Sequence, residues 1–302
     1  MSNNNANTII MFTIVIPLYN KGQSVKRSIC SVLNQSFSNF EIVIVDDGST
    51  DNSVEVVKSF KDDRIKIVRQ ANAGVSAARN HGIDIASGQF ITFLDADDEY
   101  EPNHLETLRK LIDEYPGYNV YATSYKIREA GKEERPKIRN LVFKESHKDG
   151  EGVVKSYFHA AASMHMPVHI CSLAIRREAL GSIRFPVGVK AGEDLYMIAR
   201  LMTENDMVFS FSYTYIYNFE ETNRVMRTHE KVDEYFDNLL KLNCKDKYLR
   251  SYIALWHTRR AVYALRFNDT QTILFHLWRS IRIKPLQTKI FKAMLNAMLS
   301  RK

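Results

Sequence analysis

Apolar residues in the first hundred positions come as short β-branched runs separated by stretches with helical spacing. Thr13–Ile16, Glu41–Val45, Ile65–Val68 and Phe90–Leu94 read as strands, because Val, Ile and Thr suit an enclosed, pleated surface. Between the first two, Val25, Ile29, Val32 and Leu33 fall at i, i+4, i+7 and i+8, the apolar stripe of a helix. A second helix is expected to open at Asp51 or Asn52, both good capping residues, and to run to about Phe60. A third opens near Gly74, carries Val75, Ala78 and Ile83, and ends near Ser87-Gly88. Strands alternating with helices imply an α/β protein built on a parallel sheet with right-handed crossovers.

The pattern changes after residue 110. Residues 111–225 look less regular, with a charged, turn-rich stretch from Arg128 to Gly152 that reads as an exposed, mobile loop. Gly192-Glu193-Asp194 introduces a helix with Leu195, Ile198, Ala199 and Met202 on one face. From about Val232 the chain reads as helices, broken at Pro285 before a last amphipathic piece with Leu286, Ile290, Met294 and Met298. No internal repeat is visible.

With 302 residues, 45% hydrophobic and 25% charged, the chain has the mix of a folded globular protein, which excludes collagen-like, disulfide-scaffold and low-complexity classes. Cys30, Cys171 and Cys244 lie far apart without a Cys-x-x-Cys pair, arguing for a reducing compartment and against a structural zinc site. Residues 1–10 form an asparagine-rich segment, expected to be a disordered tail, with no basic start or apolar run of a signal peptide. The uncharged stretch Ser156–Ile175 has the length of a membrane span, yet three histidines and Pro167 mark it as buried protein. A cytoplasmic protein is the expectation. Charge is uneven: residues 251–302 hold ten Lys/Arg against one acid, Asp269, so this segment carries +9 while the other 250 residues sum to −2. Such a tail suggests an anionic partner surface.

Ligands of a parallel sheet bind beyond the carboxyl ends of its strands. The expected strands are followed there by Tyr19-Asn20, by Asp46-Asp47-Gly48-Ser49 and by Asp95-Ala96-Asp97-Asp98, so five carboxylates converge on one edge. Their mutual repulsion calls for a cation or hydrogen-bond donors. Asp95 and Asp97 suit a hard divalent cation, Mg²⁺ or Mn²⁺, or else form a solvated acidic turn; a calcium loop fails because Tyr100 stands where a glycine is needed. Asp47 either accepts the imide N–H of a base or belongs to a turn and helix cap. Gln70 to Asn80, with Asn72, Gly74 and small residues at a helix start, brings Arg79 near the edge, where it reaches a diphosphate, braces the acidic loops, or is an ordinary surface arginine. Glu193-Asp194 is either a dipole-favoured helix start or a general base. His159, His165 and His169 do not share a helical face and read as packing residues, and His81, His104 and His229 carry no signal.

Taken together, Ile16-Pro17-Leu18-Tyr19-Asn20, Ser31-Val32-Leu33-Asn34-Gln35-Ser36, Asp46-Asp47-Gly48-Ser49-Thr50-Asp51, Gly74-Val75-Ser76-Ala77-Ala78-Arg79-Asn80 and Phe93-Leu94-Asp95-Ala96-Asp97-Asp98 closely resemble glycosyltransferase family 2. The resemblance covers residues 11–110, continues loosely to Gly192-Glu193-Asp194 and fades after about 230. It implies a GT-A fold, a Rossmann-like nucleotide-binding sheet with helices on both faces, here followed by a helical C-terminal region. The implied layout is a nucleotide-sugar half at 11–110, an acceptor half at 111–228 and basic helices at 229–302. By position, Pro17 and Tyr19 would line the base pocket and Asp47 would bind uracil. Asn72 and Arg79 would add to the nucleotide side, Asp95 would meet ribose or metal, and Asp97 would be the principal metal ligand. Asp194 would be the catalytic base, with Glu193 beside it.

The function so implied is inverting, Mn²⁺- or Mg²⁺-dependent transfer of one sugar from a UDP-sugar to a free or lipid-linked saccharide, as in O-antigen, capsule or exopolysaccharide assembly on polyprenyl diphosphate. The absence of Gln-x-x-Arg-Trp, the signature of processive synthases, favours single addition. The tail, with Trp256 and Trp278, would seat the enzyme peripherally on the anionic inner face of the plasma membrane, or else pack on the domain or form a homodimer. A sugar nucleotidyltransferase is the rival enzyme, though Gly22 alone is a poor glycine-rich loop; a non-catalytic binding module is the other alternative. The basic residues lack the aromatic interleaving of a nucleic-acid module, so no nucleic acid is expected.

Overall fold

The computed structural model describes residues 12–162, 166–189, 191–219, 232–242, 244–267 and 269–285. Expectations for residues 1–10, His165, His229 and the piece from Leu286 to Met298 lie outside the described residues. Every expected element of the first hundred residues is present: β1 (Phe12–Leu18), α1 (Val25–Leu33), β2 (Phe40–Asp46), α2 (Ser53–Lys58), β3 (Ile65–Arg69), α3 (Val75–Ile85) and β4 (Phe90–Phe93). β1 pairs in parallel with β2 on one side and β4 on the other, and β2 pairs with β3. Strands β2 and β4 are buried along their whole length, as expected of a parallel sheet covered on both faces. Helix α3 can lie close to β1 because residue 82 is glycine; a Cβ there would meet Val15 Cγ1 at 2.2 Å.

The region expected to be irregular is instead the second half of the same sheet. It contributes β5 (Glu99–Tyr100), α4 (His104–Glu114), β6 (Val120–Glu129), β7 (Lys132–Glu134), β8 (Phe143–Lys148), β9 (Glu151–Val154), α5 (Tyr157–Ala161), β10 (Leu173–Arg176), α6 (Arg177–Leu180), α7 (Glu193–Met202) and β11 (Met207–Phe219). Sheet order is β3-β2-β1-β4-β10-β6-β11-β9-β8, with β5 on β11 and β7 on β6. About half of the stretch from Arg128 to Gly152 is thus strand, with charged residues at exposed positions of β7 and β8, while residues 135–142 between them form a loop. Strand β11 runs parallel to β6 with register shifts near Tyr213, and its distal part pairs with β5 directly after the acidic loop.

Helices α8 (Val232–Leu239), α9 (Leu249–Ala264) and α10 (Thr270–Ile283) follow. Helix α9 is buried around most of its circumference. Trp256 is a correction to the expectation of a surface anchor: it is buried, stacks on Phe236 at 4.0 Å and donates to Asp233 Oδ1 at 2.8 Å. Part of the tail's positive charge is also neutralised inside the bundle, where Arg260 pairs with Asp233 and Arg279 with Asp237. No helix among the described residues is long and apolar enough to cross a membrane.

At the amino ends of the strands a buried carboxylate ties the sheet together. Glu41 Oε1 accepts from Thr13 Oγ1 at 2.6 Å, Ser87 N at 2.7 Å and Ser87 Oγ at 2.6 Å, and Oε2 faces Lys66 at 2.7 Å. Burial works to raise this carboxyl, but the four donors outweigh it and hold it at about 2, below the ordinary 4.5. Its stabilisation is therefore complete above pH 4.5 and is lost as pH falls through 2. Glu41→Gln is expected to cost about 1–3 kcal/mol in urea unfolding at pH 7. The difference from the parent should shrink in acid, and an equal difference at pH 2 and pH 7 would refute this account.

Candidate active site

The acidic edge forms where β1, β2 and β4 end side by side, with Leu18 in register with Asp46. Three of its five carboxylates are tied into the protein. Asp46 is fully buried, accepts from Ser49 N at 3.0 Å and faces Arg69 at 3.1 Å. Asp47 accepts from Gln70 Nε2 (2.8 Å), Ala73 N (2.9 Å) and Gly74 N (2.8 Å), while Asn72, itself exposed, donates to the Asp47 carbonyl at 3.0 Å. The turn needs Gly48, whose φ of +78° and 3.1 Å Cβ approach to Asn72 N leave no room for a side chain. Asp98 is buried between Tyr215 Oη and the Asn218 amide, and burial, with Asp95 and Asp97 nearby, raises its carboxyl well above the ordinary range.

Asp95 and Asp97 remain on the cleft side. Their loop is pinned through its carbonyls: Ser24 Oγ donates to Ala96 O (2.9 Å), and Arg27 and Asn218 donate to Asp97 O (2.7 and 2.9 Å). Arg79 Nη2 contacts Asp95 Oδ1 at 2.7 Å, and Lys21 Nζ contacts Asp97 Oδ2 at 2.5 Å. Asp95 Oδ2 and Asp97 Oδ1 have no protein partner among the described residues. Two carboxylate oxygens on one rigid loop suit Mg²⁺ or Mn²⁺, with Lys21 balancing Asp97 otherwise. Pro17 is half-buried at the end of β1, and Tyr19 stands 49% exposed beside it, as a face open to a planar ligand.

Arg79 joins this loop to the opposite wall. Its side chain is 4% exposed, its Nη1 lies 3.2 Å from Glu193 Oε1, and its guanidinium lies 5.2 Å from the Phe185 ring centre. The surface-arginine reading is thereby excluded. Burial would lower its charge, but Asp95 and Glu193 overcome that and fix it protonated. Burial works to raise Asp95 too, and Arg79 reverses it, holding the carboxyl below the ordinary range. Glu193 and Asp194 open α7; burial raises both, and Asp194 lifts Glu193 further. Leu195 N donates to Asp194 Oδ1 at 2.8 Å.

Two further groups at the site escape the sequence reading. His169, read as packing, stacks on Tyr215 at 5.0 Å and lies tilted against Tyr217 at 5.4 Å, and burial lowers its imidazole to about 4. It does pack, and it does so in the cleft wall. Tyr157 and Tyr252, with ring centres 6.3 Å apart, bring α5 and α9 to the Asp194 side, and burial together with the Asp194 charge raises both phenols. No local motif marks these residues; the signal is the pairing of segments far apart in sequence.

The sheet is mixed, parallel across β3-β2-β1-β4 and antiparallel at β10, and its acidic edge lies at the carboxyl ends of the parallel strands, where the ligands of α/β sheets bind. The sequence description of "Glycosyl transferase family 2" matches residues 13–179, more than half of the chain. The chain belongs to that family. It is 43% identical over 104 residues to the uncharacterized glycosyltransferase YibD of Escherichia coli K12, covering 34% of this chain and 30% of YibD. It is 27% identical over 205 residues to the minor teichoic acid biosynthesis protein GgaB of Bacillus subtilis 168, covering 64% of this chain and 21% of GgaB. The chain thus spans less than a third of these curated relatives. The crystal structure of S. aureus TarS 1-349 in complex with UDP-GlcNAc superposes with a TM-score of 0.72 at 20% identity, covering 91% of this chain and 81% of that one, which shows the shared fold.

Removing the bridging cation leaves Asp95 and Glu193, both part-buried, without their counter-charge. Arg79→Met is expected to destabilise by about 3–5 kcal/mol in urea unfolding. Arg79→Lys should recover only part, because an ammonium lacks the fork that spans both partners. An unchanged midpoint in the methionine variant would show that the bridge contributes nothing.

Proposed function

We propose that this protein transfers a single sugar from a UDP-sugar to a hydroxyl of a saccharide acceptor, with inversion at the anomeric carbon. The observation that carries this reading is the Asp194 carboxyl at the start of α7, next to Glu193, which Arg79 ties to Asp95 of the acidic loop. In this reading Pro17 and Tyr19 flank the base, and Asp47 offers uracil a remaining lone pair on Oδ2. Asn72 holds the turn beneath, and Asp95 and Asp97 hold the divalent cation. When bound, Mn²⁺ or Mg²⁺ supplies positive charge against the departing diphosphate. Arg79 fixes the loop without titrating. Asp194 removes the acceptor proton on the face opposite the leaving group, so one displacement converts an α-linked donor into a β-linked product. The raised carboxyl is a stronger base than an ordinary aspartate, which suits that role. The acceptor is read as a saccharide on polyprenyl diphosphate, met at the cytoplasmic face of the plasma membrane.

A panel of nucleotide-sugars with and without Mn²⁺ or Mg²⁺, read by nucleoside diphosphate release, tests this directly. Asp97→Ala should abolish metal-dependent release, and Asp194→Asn should lower kcat about 10²–10⁴-fold. Because only the ionised base works, the rate should fall as pH drops through a carboxyl raised above its usual 3.8. Pyrophosphate release instead of nucleoside diphosphate would replace the transferase by a nucleotidyltransferase.

A further inference from the structure

Helix α10 is turned with its polar residues inward. His276, Ser280 and Ile283 are buried; His276 Nδ1 meets His257 Nδ1 at 2.9 Å, and Ser280 Oγ bonds Ala254 O at 2.7 Å on α9. The large apolar side chains point away from the protein: Leu274 (62% exposed), Phe275 (51%), Trp278 (53%) and Ile281 (46%). At 100° per residue these four lie on one side of the helix, opposite His276 and Ser280. Four such residues on one exposed face mark a surface that has a partner.

Charge identifies that partner. Arg282 lies over the Trp278 ring at 5.0 Å on the same face, and Lys284 follows. No acid occurs between Thr270 and Lys284. A second copy docking here by a two-fold axis would bring like charges together, whereas anionic headgroups would neutralise them. We propose that the outer face of α10 docks on an anionic lipid surface, with Leu274, Phe275, Trp278 and Ile281 entering the headgroup boundary and Arg282 at its polar margin. An aromatic and aliphatic face edged by basic residues is the pattern of an interfacial helix. The inference deepens the proposed function, on which it rests for its biological meaning, by naming the surface where the acceptor is met.

The test uses the full chain with vesicles of phosphatidylcholine alone or mixed with phosphatidylglycerol, read by co-sedimentation and tryptophan emission. Of the two tryptophans Trp256 is enclosed, so an emission shift reports Trp278. Binding is expected only with phosphatidylglycerol, weakening as salt rises, and falling at least about tenfold in Trp278→Glu and in Leu274→Glu. Both substitutions lie on the exposed face and leave nucleoside diphosphate release unchanged. Failure of the parent chain to bind, or binding that survives both substitutions, overturns the assignment. A dimer in solution that Trp278→Glu dissolves also overturns it and gives the face to a second copy. Loss of diphosphate release with vesicle binding intact would strike the transferase reading alone.

Discussion

The guanidinium of Arg79 lies out of solvent between Asp95 on the loop after β4 and Glu193 at the start of α7, 114 residues along the chain from it. An enclosed cation is tolerated only when paired, and two part-buried carboxylates this close are held together by such a cation. Each of the three groups is therefore the condition for the other two. The loop's position relative to Asp194 follows from that triplet, because Asp194 is the next residue after Glu193 and shares the same helix start. A cleft whose two walls carry different chemistry needs such a cross-member.

The same electrostatic logic sorts the five carboxylates of the edge. Convergence of so many acids looks like a demand for metal, yet most of the repulsion is removed by the protein. Asp46 has Arg69, Asp47 has a fan of N–H and amide donors, and Asp98, its carboxyl raised by burial, is held by Tyr215 and Asn218. What is left is one pair on a pinned loop, Asp95 and Asp97, each with one oxygen that accepts no hydrogen bond among the described residues. The edge is thus selective: three acids are held by protein donors so that two can be presented to a cation. Asp98 and Asp95 are pushed in opposite directions: burial and the neighbouring acids raise Asp98 against the donors Tyr215 and Asn218, whereas Arg79 holds Asp95 down.

The first half of the fold is legible in the sequence because its strands are continuous β-branched runs and its helices carry unmixed apolar stripes. The acidic loops are legible because their chemistry is local, with ligand-type residues adjacent in sequence. Arg79 is not, since nothing near it distinguishes a bridging arginine from a solvated one; Glu193 must be folded against it first. His169 fails for the same reason, its stacking partners Tyr215 and Tyr217 lying on β11. That strand itself carries a usable signal, an aromatic at every second position from Phe209 to Phe219, which is the period of a strand. Charged residues in the preceding segment hide it, because exposed positions of edge strands resemble loop composition.

The C-terminal helices show how charge and burial decide between identical residue types. Trp256 and Trp278 are both in the basic tail, but Asp233 draws the first inward through its indole N–H, and with it Arg260. Asp237 takes Arg279 and His257. Asp233 and Asp237 of α8 thereby anchor α9 and α10 by their polar groups, and α9 in turn lays Tyr252 against Phe158 at 5.4 Å, on the Asp194 side. A helix fixed by its polar face must present its apolar residues elsewhere. The outward face of α10 is the consequence, so the contacts that complete the wall beside the candidate base also create the surface that faces away from it.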